Sequence, residues 1–155
     1  MRKWLLLIAC IALCQVAGIL GSIFTYSAIP GWYADLNLPP FTPPNWLFAP
    51  VWITLFTLMG ISLYAVVSKG VGKNRLAIYI FGAQLLLNFM WNILFFGMRS
   101  PLYGLIGISA LWVLIVLTIA KFYRISKSAG LILVPYIAWV SIATLLNYYI
   151  FVLNP

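Results

Sequence analysis

The chain has 155 residues, 65% of them hydrophobic and 6% charged, with a formal net charge of +8. A soluble domain carries about 25% charged residues, so this composition cannot supply a water-facing surface. One acid, Asp35, and no histidine exclude acid–base catalysis, proton relays, hydrolytic triads and carboxylate-bound cations.

Uncharged runs cover 4–34, 36–68, 76–98, 100–120 and 128–155. Each can supply the ~20 apolar helical residues that cross a bilayer core. This predicts an all-α membrane protein, one transmembrane domain over 1–155 built as a bundle of five transmembrane helices. The spans are expected at about 4–28, 46–68, 76–98, 102–123 and 129–153. Arg2, Lys3, Lys69, Lys73, Arg75, Lys121, Arg124 and Lys127 then share one side, and Arg99 alone lies opposite. That asymmetry predicts an integral membrane protein with its N-terminus and basic loops inside. Basic residues scattered between spans in this way do not form a nucleic-acid patch, so no nucleic-acid partner is expected.

Span one begins MRKWLLLIACIALC, but its apolar run is longer than the ~7–15 residues of a signal-peptide core, so it reads as an uncleaved helix. Cys10, Cys14, Gly18 and Ser22 recur every four residues. Such a small-residue stripe lets helices approach closely in lipid, which makes it a contact face within the bundle or with a second copy. Two cysteines without histidine leave a metal site short of ligands, so neither metal nor cofactor is expected. Gln15 adds a polar group near mid-span.

Between Pro30 and Trp52 the chain reads PGWYADLNLPPFTPPNWLFAPVW, with prolines at 30, 39, 40, 43, 44 and 50. Fixed φ and missing donors bar this stretch from helix or inner strand, so it predicts an ordered aromatic loop over 30–45. In span two, Trp52 and Phe56 are one turn apart, and Pro50 is expected in the first turn or so. On span three, Gln84, Asn88, Trp91, Asn92, Phe95 and Arg99 fall on one helical face. Three amides at membrane depth avoid lipid, either as interhelical ties or as the wall of an internal cavity. Span four, with Gly104 and Gly107, reads as packing alone. Span five sets Tyr136, Trp139, Ala143 and Asn147 along one face, with Pro135 kinking the helix or lying in its first turns. No internal repeat is visible, which disfavours a transporter built from two matching halves.

The motifs WYADL (32–36), PPFTPPNW (39–46), APVW (49–52), MGISLY (59–64), LLNFMWNILFFGMR (86–99) and VPYIAWVSIATLLNYY (134–149) carry a resemblance over nearly the whole chain. They resemble the translocator protein family (TspO/MBR), also called tryptophan-rich sensory proteins or peripheral-type benzodiazepine receptors. The resemblance implies five transmembrane helices, a homodimer, and a cavity capped by the proline-rich loop. It implies a membrane receptor or sensor for tetrapyrroles such as protoporphyrin, and for sterol-like or benzodiazepine-like molecules. A light- and tryptophan-dependent porphyrin-degrading enzyme and a translocator of such ligands are the alternatives it carries. By position, it places Tyr33, Pro43, Trp52, Phe56, Asn88, Trp91, Asn92, Phe95, Trp139, Ala143 and Leu146 at the ligand. Arg99 is expected either to meet a porphyrin propionate at the cavity mouth or to pair with Asp35. The family's animal members end helix five with a cholesterol motif, L/V-x-Y-x-K/R. Leu146-Asn147-Tyr148-Tyr149 is followed here by IFVLNP, which lacks the basic residue and resembles a prokaryotic member in a cell membrane.

Overall fold

The computed structural model describes residues 2–155, and among these the regular structure is entirely helical. Five helical spans cover Lys3–Ala28, Asn45–Val67, Arg75–Gly97, Pro101–Ile125 and Lys127–Leu153, within a few residues of the expected limits. We number the α-helices α1 (Lys3–Ala28), α2 (Asn45–Val67), α3 (Arg75–Asn92), α4 (Pro101–Ile125), α5 (Lys127–Ile132) and α6 (Val134–Leu153). At 1.5 Å per residue, even the 23-residue spans reach across the ~30 Å hydrocarbon layer. Their outward faces carry exposed aliphatic residues such as Ile19 and Ile23, as lipid-facing helices require.

Four details refine the sequence reading. The loop holds one turn of 3₁₀-helix, Tyr33–Asp35, placed before the first of the closely spaced prolines. Pro50 lies inside α2, just past its first turn, because the helix starts at Asn45. Its missing N–H leaves the carbonyl of Trp46 without an i−4 partner, close to the loop end of the helix. Span three ends in a π-helical turn, Ile93–Gly97, closed by Met98 N–H donating to Ile93 O at 2.7 Å. Span five is broken at Leu133 into α5 and α6, with Pro135 in the first turn of α6 where a donor is not needed.

The spans close into a ring. α1 packs on α2 and α3, α3 on α4, α4 on α5 and α6, and α5 returns to α2. The cysteine–glycine stripe of α1 faces into this ring: Cys14 is fully buried, and a Cβ placed on Gly18 would strike the Phe56 ring. The stripe is therefore a contact within the bundle. Gly60 of α2 answers it, because a side chain there would run into the backbone of Ile11. Gln15 completes the α1–α2 seam by donating to Ile53 O (3.0 Å) and Thr57 Oγ1 (2.8 Å). Toward the basic loops the interior is packed: Phe81 stacks on Phe122 at 5.6 Å, with Met59, Leu111 and Ile115 fully buried.

Candidate functional site

The interior beneath the proline-rich loop is hollow. A cavity of about 130 Å³ is walled by α1, α2, α3, the π turn and α6. It is small beside the ~300–1,000 Å³ typical of ligand pockets. Its floor rests on a polar tie at mid-depth, of which Asn88 lines the cavity and Tyr136 and Gln84 lie behind it. The Tyr136 hydroxyl donates to Gln84 Oε1 and accepts from Asn88 Nδ2, both at 2.7 Å. All three side chains are buried, so these bonds join α3 to α6 where lipid offers no alternative partner.

Above the floor, each amide serves as tie and wall together. Asn92 Nδ2 donates to Asn88 O (3.1 Å), while its Oδ1 accepts from Thr25 Oγ1 of α1 (2.8 Å). Trp91 Nε1 donates to Asn147 Oδ1 (3.2 Å), and Asn147 Nδ2 donates to Pro101 O (2.9 Å). The two readings of the α3 amide stripe are therefore both realised, since Asn88 and Asn92 line the cavity and also join helices.

Aromatic rings supply the rest of the wall. Trp52 lies 5.6 Å from Phe56 and edge-on to Tyr136 at 6.4 Å, and Phe48 meets Trp139 edge-on at 6.1 Å. Trp91 stacks on Phe95 at 5.6 Å. The π turn explains why the consecutive residues Phe95 and Phe96 are both buried, perpendicular to each other at 4.8 Å. A wide turn adds a residue to one helical circuit and so brings two neighbours toward the same side. From the loop, Trp32 packs edge-on to Phe95 (5.3 Å) and Tyr33 against Phe96 (5.9 Å). The Tyr33 side chain is buried, and burial pushes its hydroxyl up to about 12. Its Oη is, among the described residues, the one buried side-chain polar atom without a hydrogen-bond partner.

Tyr33, Trp52, Phe56, Asn88, Trp91, Asn92, Phe95, Trp139, Ala143 and Leu146 all line this cavity. Pro43 and Arg99 do not. Pro43 is half-buried in the loop. Arg99 is exposed, comes after the π turn, and adopts the left-handed φ of 53°. The helical span ends at Gly97, so Arg99 no longer belongs to the face that Gln84 and Asn88 define, and its left-handed backbone turns the chain away.

The sequence reading missed the α1 wall (Gly18, Ser22, Thr25) and Phe48 of α2, and it left Asn147 out of the site. The four-residue spacing of the α1 stripe was the available signal, although small residues mark a close contact and a hollow alike. Helix α4, expected to serve packing alone, also supports the site. A side chain at Gly104 would press on Phe95 and on Asn147 Oδ1, 3.0 Å away.

The sequence is similar to known proteins over nearly its whole length. Residues 10–153 match the TspO/MBR family. The chain belongs to that family. It is 48% identical to the tryptophan-rich protein TspO of Chlorobaculum tepidum, over the whole of both chains. It is 45% identical to the tryptophan-rich protein TspO of Archaeoglobus fulgidus, covering 96% of each. The translocator protein of Bos taurus is 34% identical, over 86% of this chain and 81% of the bovine one. As a TspO/MBR protein with five apolar spans, it is an integral membrane protein.

Proposed function

We propose that this chain is a membrane receptor, or sensor, that binds flat hydrophobic ligands of the tetrapyrrole class in the cavity, and through them regulates a tetrapyrrole or stress response. The observation that carries this reading is an uncharged hollow at membrane depth walled by Trp52, Trp91, Trp139 and Phe95. Indole and phenyl faces stack on planar rings, each contact adding ~0.5–1.5 kcal/mol beyond the area buried. Sterol-like and benzodiazepine-like molecules are further candidate guests on the same chemistry. The loop 30–45 is the proposed cap. Asn37 and Asn154 fasten it to the end of α6 by two bonds, Asn37 N–H to Asn154 Oδ1 (2.9 Å) and Asn154 Nδ2 to Asn37 O (3.0 Å). A macrocycle is larger than the resting volume, so admission requires this cap to lift and the wall rings to turn. The proposed setting is a prokaryotic cell membrane, basic loops inward, with the chain as a homodimer.

The test is quenching of intrinsic tryptophan fluorescence by protoporphyrin in purified protein, with Trp52→Phe, Trp91→Phe and Trp139→Phe alongside. Saturable quenching, reduced in amplitude or affinity by each substitution, is the expected result. Non-saturable quenching that all four proteins share would remove the proposal. Repeating the titration under illumination separates plain binding from porphyrin degradation.

A further inference from the structure

Resting on the receptor reading, we propose that Tyr33 is the polar anchor of the cavity: its hydroxyl donates to an acceptor on the edge of the guest, and recognition draws on no protein charge. The first observation is the lining, which contains no charged side chain. Arg99 is exposed and off the wall, and Asp35 is exposed in the loop. The second is how the other polar groups are occupied. The side-chain nitrogens of Asn88, Asn92 and Asn147 and the indole N–H of Trp91 each already donate within the protein.

Among the described residues the indole N–H groups of Trp52 and Trp139 also line the cavity without a partner, but on half-buried side chains; Tyr33 is the buried exception. It lines the cavity, it is 3% exposed, and its Oη has no partner. Leaving a buried hydroxyl unsatisfied is costly, and a guest that supplies an acceptor offsets that cost. With its pKa raised by burial, the phenol stays protonated at neutral pH and acts as the donor. Tyr33 lies in the loop, on the 3₁₀ turn Tyr33–Asp35. It therefore meets the end of the guest nearest the cap, which is where an oxygen-bearing edge costs least desolvation.

Three porphyrins with the same ring separate this proposal from its competitors: the free diacid, its dimethyl ester, and an alkyl-only porphyrin without side-chain oxygen. Each is titrated by tryptophan quenching against wild type, Tyr33→Phe and Arg99→Gln, with affinities expressed per mole of ligand in the detergent phase. Tyr33→Phe is expected to weaken the diester by ~2- to 10-fold, and the diacid at least as much, while sparing the alkyl porphyrin. It removes an unsatisfied group, so thermal stability is not expected to fall. Arg99→Gln, and a rise from about 50 to about 500 mM salt, are expected to change none of the three. Equal effects of Tyr33→Phe on all three ligands, or no effect on any, overturn the proposal. So does selective loss of the diacid in Arg99→Gln or at high salt. Absence of saturable quenching by all three in wild type defeats the receptor reading itself, and this proposal with it.

Discussion

The two ends of the bundle interior are built differently. Toward the basic loops, Phe81 and Phe122 stack and Met59, Leu111 and Ile115 are sealed from any neighbour but protein. Beneath the proline-rich loop, the same five spans enclose a hollow lined by indoles and carboxamides. The Tyr136 hydroxyl, held between Gln84 and Asn88, is the boundary. In lipid there is no hydrophobic drive inward, so close packing and interhelical hydrogen bonds must hold a bundle together. Here the tight end supplies the packing, and the amide ties hold α1, α3, α4 and α6 around a space that packing alone would close.

From that division, substitutions at the two ends are expected to separate stability from binding. The largest effect on stability is expected from Phe81→Ala, which empties the stacked end and costs about 3–5 kcal/mol by analogy with other large-to-small core changes. Phe48→Ala at the cavity wall is expected to lower the melting temperature far less, while weakening porphyrin quenching. Thermal denaturation in detergent compares the two, and equal losses would erase the distinction between the ends.

Tyr136→Phe probes the boundary. It leaves the buried Gln84 and Asn88 amides short of a partner and is expected to cost ~1–3 kcal/mol. Because Asn88 is part of the wall, ligand affinity should fall too. Gly104→Ala sharpens the comparison from behind the wall. The added methyl presses on Phe95 and Asn147, so binding is expected to fall by more than stability, as read by quenching alongside melting. The smallest effect is expected from Asn154→Ala, which removes two of the bonds that hold the loop to the end of α6 and leaves Asn37 Nδ2 donating to Leu153 O. A cost of ~1 kcal/mol, faster proteolysis within 30–45 and faster ligand dissociation are the outcomes to measure.

Much of this plan is legible in the sequence, for reasons that differ by residue. Spans emerge because charge is excluded from lipid, and Asn88, Trp91, Asn92 and Phe95 emerge because an α-helix repeats its face regularly. The π turn has no such signature: ILFFG would serve equally as ordinary helix, and the helix ends at Gly97, before the regular repeat reaches Arg99. Pro43 was carried by resemblance to a motif, and a rigid loop can keep a residue near a cavity without turning it inward. The α1 wall was hidden because Gly18 and Ser22 have too little side chain to announce which space they leave open. Only the packing of α1 in the bundle tells that Gly18 and Ser22 face a hollow while Cys10 and Cys14 are buried in protein.

The most direct test of the hollow end as the binding site is ¹⁹F NMR of protein labelled with fluorotryptophan and titrated with protoporphyrin. Trp52, Trp91 and Trp139 resonances, assigned by single Trp→Phe substitutions, are expected to shift together and saturate, while the exposed Trp4 and Trp46 stay in place. Shifts confined to Trp4 and Trp46, with the three cavity indoles unmoved, would contradict the account.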